Sequence, residues 1–137
     1  LQWIESMNVP PRILVADDDD GLRQLMCMVL RREGFDVIEA VNGLETLARA
    51  RDCDPTVILL DVMMPGMDGP DVCRNLKSDR RFDGVQVIFV SAIDDIRQRN
   101  EAQQLGADEC IKKPIGPREL VARVRGVMER RGILCIV

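Results

Sequence analysis

The sequence has no histidine and no tyrosine, and only 3% of its 137 residues are aromatic. Without histidine there is no Ser-His-Asp triad, no Cys-His dyad, no Cys/His zinc site and no imidazole to carry a phosphoryl group. With Trp3, Phe35, Phe82 and Phe89 as the only rings, the core must be built from Val, Ile, Leu and Met, which buried parallel strands favour. No CxxC occurs. Cys27, Cys53, Cys73, Cys110 and Cys135 are scattered and odd in number, which points to reduced thiols that pack as small apolar side chains in a cytoplasmic protein. No apolar run approaches the roughly 20 residues of a membrane span, and no signal peptide is visible. A basic excess is missing too. The net charge is -4, so this segment is not expected to bind nucleic acid directly, and any DNA contact would fall to another domain.

What is present is a rhythm. The length suits one domain, which typically runs to about 100–150 residues. Residues 1–11 end in Pro10-Pro11 and read as a linker or upstream tail. Residues 12–131 read as the domain, and 132–137 as a C-terminal tail or the start of a linker. The first residue is Leu, so the chain reads as an excised part of something longer. Apolar runs at 13–16, 36–40, 56–60, 85–90 and about 108–112 predict strands. Helical spacing predicts helices over 21–33, from Leu44 to before Asp54, from Pro70 to about Ser78, over 94–105, and from Pro117 onward. Asp20 is expected to cap the first helix, with Asp19 merely solvated, and Gly34 and Gly106 close helices. Five strand–helix alternations with short connections predict a flavodoxin-like (βα)5 fold. This is a doubly wound parallel sheet of order 2-1-3-4-5 in a single domain.

In such sheets ligands bind beyond the carboxyl ends of the strands, at the switch point between the first and third. Strand one ends in Asp17-Asp18-Asp19-Asp20, strand three in Asp61, strand four in Ser91, and strand five in Lys112-Lys113-Pro114. Carboxylates gathered this closely repel unless a cation lies among them. A small set of hard oxygen ligands suits Mg²⁺, which shares its shell with water and phosphate. Beside such an ion an aspartate can act as nucleophile and form an acyl phosphate, a reaction that mainly needs positioning and charge neutralisation. Lys113 supplies a positive charge for phosphoryl oxygens and Ser91 a hydroxyl. Lys112 is expected to face solvent and Lys113 inward. Asp68-Gly69 reads as a turn. Each residue also has a bland reading, as solvated acid, cap or structural hydroxyl; their joint placement at successive strand ends is what is specific.

DDDDG after strand one, LLDVMMPGMDG around Asp61, VSA at 90–92 and KKP at 112–114 together resemble the CheY-like receiver domains of bacterial response regulators. The resemblance covers about residues 12–131. It implies that Asp61 is the phosphorylation site, that Asp17, Asp18, Asp61 and the backbone carbonyl of Met63 hold Mg²⁺, and that Ser91 and Lys113 engage the phosphoryl group. It also implies a cis peptide before Pro114, and a sensor histidine kinase or histidine phosphotransfer protein as donor. One position departs from the family. Strand five carries Cys110 where a Tyr or Phe ring is usual, so a ring switch toward the face of helix four, strand five and helix five is absent. Met63 and Ile93 are apolar and cannot orient an attacking water, which implies slow self-dephosphorylation. The last part also looks like the winged-helix transcription-factor subgroup. There, active receivers dimerise through that face, and Arg99, Glu109, Glu119 and Arg123 sit at suitable places for it.

Two rival readings differ in class. Asp18-x-Asp20-Gly after a strand is similar to haloacid-dehalogenase phosphatases, an enzyme reading that leaves LLDVMMPGMDG unexplained. A pseudo-receiver that binds without cycling phosphate is supported by Cys110 but leaves the acidic cluster and Lys113 idle. A calcium EF-hand is excluded because its first ligand position would be Ala16.

Overall fold

A computed structural model describes residues 2–3, 10–92, 96–130, 132 and 134–135. Five parallel strands form one sheet: β1 (Arg12–Ala16), β2 (Asp36–Ala40), β3 (Val57–Asp61), β4 (Gln86–Ser91) and β5 (Glu109–Lys112). Their order is β2-β1-β3-β4-β5, the flavodoxin-like order expected. Helices α1 (Asp20–Arg32), α2 (Gly43–Cys53), α3 (Gly69–Lys77), α4 (Ile96–Gln104) and α5 (Pro117–Arg130) follow the strands in turn. The strand ends shift by about one residue from their sequence limits, because pairing rather than composition sets them. Asp61 pairs with Val90, and Ser91 with Lys112.

Side chains alternate between the two sheet faces, and each face has its own core. Ile13, Val15, Leu59 and Ile88 pack against Met26 and Leu30 of α1 and Leu120, Val124 and Met128 of α5. Leu14, Ile58, Leu60 and Phe89 pack against Leu47 of α2, Val72 and Leu76 of α3, and Ala102 of α4. The central strands β3 and β4 are buried at every position. Burial on both sides explains why they read as nearly continuous apolar runs, with the buried Gln86 the interruption in β4. Among the described residues, no helix is long and apolar enough to cross a membrane.

Two local expectations are corrected. Asp19, not Asp20, caps α1: its backbone is extended and its carboxylate accepts from the Leu22 amide at 3.1 Å. Asp20 already lies inside the helix, and its carboxylate pairs with Arg23 at 2.7 Å. Asp68 is likewise an N-cap, accepting from Asp71 N at 2.9 Å, with Pro70 in the first turn of α3. Cys27 and Cys73 are buried as expected, whereas Cys53 and Cys110 are only half-buried. At the chain ends, Gln2–Trp3 pairs antiparallel with Leu134–Cys135. Ile93 and the side chain of Arg99 lie outside the described residues.

Candidate functional site

The β1–α1 turn, the end of β3 and the β5–α5 turn meet at the carboxyl edge of the sheet. Asp17 follows β1, is almost fully buried, and accepts from the Asp19 amide at 2.9 Å. Asp61 ends β3, is 5% exposed, and receives a long hydrogen bond from the Met63 amide at 3.4 Å. Asp18 is exposed, yet one carboxylate oxygen from each of Asp17, Asp18 and Asp61 lies within 4.8 Å of the others. Lys113 turns inward. Its Nζ sits 3.2 Å from Asp61 Oδ1 and 3.1 Å from Asp17 Oδ2, while Lys112 is exposed. The Lys113–Pro114 peptide is cis. Lys113 N donates to Ser91 O at 2.7 Å, tying the β5 end to the buried Ser91 at the end of β4.

The sequence-selected Asp17, Asp18, Asp61 and Lys113 therefore converge. Ser91 is held at the adjacent strand end, and Met63 lies in the loop after Asp61 with its side chain exposed. A residue missed by the sequence reading is Arg23. It is buried, and its guanidinium donates to Asp17 O at 2.8 Å, Asp20 at 2.7 Å and Glu39 at 3.1 Å. It clamps the strand end that carries the acidic pair. The i,i+3 spacing of Asp20 and Arg23 was the only signal, and such pairs are usually surface features.

Burial, then the neighbouring Asp17 charge, pushes the Asp61 carboxyl up to about 6, against the opposing pull of Lys113. Burial by itself would lower the Lys113 ammonium, but its contacts with Asp17 and Asp61 outweigh that and raise it. Asp17 Oδ2 is buried, and the group that reaches it is the Lys113 ammonium, at 3.1 Å. One ammonium thus faces two buried carboxylates. The buried, closely spaced carboxylates and the all-oxygen donor set fit a hard divalent cation, which the cluster of Asp17, Asp18 and Asp61 could bind.

The loop bearing Asp61 leaves no room for a side chain at Gly69. A Cβ there would lie 2.4 Å from Asp61 O and 3.0 Å from Val62 Cα, both backbone atoms. Gly69→Ala is expected to cost about 1–3 kcal/mol through this overpacking and to displace Asp61. Urea unfolding checks the cost; a midpoint equal to that of the natural chain would contradict it.

The family model described as the response regulator receiver domain matches residues 13–125. The DNA-binding response regulator MtrA of Mycolicibacterium paratuberculosis is 44% identical over 119 residues, covering 87% of this chain and 52% of that protein. The DNA-binding dual master transcriptional regulator RpaA of Synechocystis is 37% identical over 120 residues, covering 88% of this chain and 50% of that protein. The chain thus spans about half the length of these curated relatives. Among solved structures, the receiver domain of Francisella response regulator 1452 superposes with a TM-score of 0.81 at 31% identity, covering 88% of this chain and 98% of that one. Chemotaxis protein CheY4 of Vibrio cholerae superposes with a TM-score of 0.84 at 25% identity, covering 87% and 99%.

Proposed function

Because the chain belongs to the response regulator receiver family, a family of signalling domains, we propose that Asp61 is its phosphoacceptor and that a phosphohistidine on a sensor kinase or phosphotransfer protein is its donor. The observation that carries this reading is the convergence of Lys113 Nζ, Asp17 and Asp61 within 3.2 Å contacts at one strand edge. In the transfer, an Asp61 carboxylate oxygen attacks phosphorus. The phosphorus–nitrogen bond to the donor imidazole breaks, the ring nitrogen keeps the electron pair, and a carboxylic–phosphoric anhydride forms. Asp17, Asp18, Asp61 and the Met63 carbonyl would hold Mg²⁺, which when bound supplies charge neutralisation for phosphoryl oxygens. Lys113, already between the two carboxylates, is placed to exchange its Asp61 contact for a phosphoryl oxygen. Ser91 donates a hydroxyl from the neighbouring strand end. The domain catalyses only its own phosphorylation and dephosphorylation, in the cytoplasm, and passes the signal on by conformational change.

Incubation with acetyl phosphate and Mg²⁺, then borohydride reduction and peptide mapping, is expected to convert position 61 alone. Label at any other carboxylate, or none, would overturn the assignment. The exposed, apolar Met63 offers water no hydrogen bond, so the phosphoryl group is expected to persist for minutes to hours. A lifetime of seconds would contradict that.

Signal output would run through a further domain, by analogy with the DNA-binding relatives. A phosphorylation-dependent homodimer through the α4–β5–α5 face is part of this proposal. In the single chain the charges of that face pair internally. Arg123 contacts Glu109 at 2.5 Å and Glu119 at 3.8 Å, and Arg130 contacts Glu109 at 3.1 Å. Arg123, Glu119 and Arg130 are largely exposed while Glu109 is half-buried, and such pairs are individually weak, so exchange for partners on a second chain costs little. Arg123→Glu is expected to weaken phospho-dimerisation about tenfold in sedimentation experiments. Unchanged dimerisation would remove this face from the proposal.

A further inference from the structure

Asp17 stands one residue past the end of β1, where the pairing of Ala16 with Ala40 and Leu60 gives out. Its amide still reaches the sheet, donating to Ala40 O at 3.2 Å. Its carbonyl is met by Arg23 Nη1 instead, at 2.8 Å in a buried contact. That carbonyl belongs to the peptide joining Asp17 to Asp18. A peptide group is planar, so a bond to its oxygen restrains how the two carboxylate-bearing residues are turned relative to each other.

The guanidinium is held just as firmly. The Arg23 side chain is 8% exposed. Its Nε donates to Glu39 on the edge strand β2 at 3.1 Å, and its Nη2 to Asp20 in the first turn of α1 at 2.7 Å. Glu39 also meets Arg31 at 3.6 Å. Two carboxylates therefore balance the buried charge. The planar fork reaches all of these acceptors at once, which a lysine ammonium on its flexible stem does not reproduce. By charge alone Arg23 would repel a cation held by Asp17 and Asp18. Charge and geometry thus predict opposite effects of removing it.

We propose that Arg23 is a positioning residue for the divalent-cation site: by holding the Asp17–Asp18 peptide it sets the directions of two of the carboxylates that take the ion. The proposal rests on the reading of Asp17 and Asp18 as Mg²⁺ ligands. It goes beyond that reading by placing the control of cation affinity on a side chain that is not itself a ligand.

The test is an Mg²⁺ titration of the folded chain, followed at the backbone amides of Asp18, Val62 and Met63. Groups that orient metal ligands typically contribute about 10–100-fold in affinity. Arg23→Met keeps most of the stem and removes the fork, and is expected to weaken Mg²⁺ binding about tenfold or more. Arg23→Lys keeps the charge without the fork, and is expected to fall between that variant and the natural chain. If charge alone mattered, Arg23→Met would bind Mg²⁺ more tightly and Arg23→Lys would match the natural chain. If Arg23 served only fold stability, the folded molecules of both variants would bind as the natural chain does. Either result would overturn the proposal, and should Arg23→Met fail to fold, the Arg23→Lys titration decides alone. Asp17→Asn is the control for the site itself. A natural chain that shows no saturable Mg²⁺ binding, or an Asp17→Asn variant that binds equally well, would strike the Mg²⁺ reading and this proposal together. Natural binding lost in Asp17→Asn but kept in both Arg23 variants would strike the Arg23 role only.

Discussion

Asp61→Asn is expected to end phosphoryl acceptance and, at pH 8 without divalent cations, to make the folded chain more stable. The loss of acceptance follows from removing the nucleophilic oxygen. The gain in stability follows from burial. Asp61 is 5% exposed, and its carboxyl is pushed up to about 6 from an ordinary value of 3.8, by burial first and the Asp17 charge second. The folded state therefore holds this proton more tightly than the unfolded chain does. Ionising the group costs folding free energy above about pH 6, and the cost fades as pH falls toward 4. A shift of about two units corresponds to about 3 kcal/mol. Asparagine keeps the shape and loses the charge, so a gain of about 1–3 kcal/mol at pH 8 is expected, shrinking to little at pH 4. Urea midpoints across that range measure it. Midpoints that differ by the same amount at both ends would show that Asp61 ionisation carries no such cost. Mg²⁺ should raise the midpoint of the natural chain more than that of the variant, since only ligands favouring the folded state stabilise it.

Removing the cation should do the opposite, and more strongly. Lys113→Ala leaves Asp17 and Asp61 facing each other with no positive charge between them. Truncating one member of a buried ion pair typically costs about 3–5 kcal/mol, because the remaining charge stays desolvated. Here two carboxylates remain. The Lys113 ammonium is raised in the folded state, so its contribution is fully present below the ordinary lysine range and is lost only in strong alkali. Between pH 4 and pH 8 the lysine itself does not titrate, and any pH dependence in the variant reports on the acids. The destabilisation is therefore expected to be largest at pH 8 and to ease toward pH 4 as Asp61 takes up its proton. A cost independent of pH would mean that Lys113 stabilises by packing its stem rather than by charge. In the double variant with Asp61→Asn, the two effects should fail to add, because the residues touch.

How far the sequence revealed this site depends on the range of each signal. Asp61 and Ser91 were legible because each closes a strong apolar strand, and Lys113 because it follows the short fifth one; parallel strands all deliver their ends to one edge. Asp17 and Asp18 were legible for the same reason. Which of Asp19 and Asp20 caps α1 was not, since it turns on one residue's backbone angles within a run of four identical side chains. Arg23 was hidden because a buried arginine looks like any surface arginine until the strands that enclose it are assembled. The pairing of Gln2–Trp3 with Leu134–Cys135 links positions at opposite ends of the chain through two-residue segments, too short for any periodicity. Cys110 was visible as a departure from the family pattern.

The unidirectional run of the five strands also creates a chemically silent rim. At the end of the sheet opposite Asp61, α1, α2 and α4 close on left-handed residues, Gly34 (φ 90), Asp54 (φ 55) and Gly106 (φ 92), and the chain then re-enters the sheet. Those corners touch none of the acidic residues. A fluorophore or an affinity handle grafted at the exposed Asp52, beside the Asp54 corner, would sit far from the reactive edge, and could anchor the domain to a sensor surface with its reactive side facing the solution.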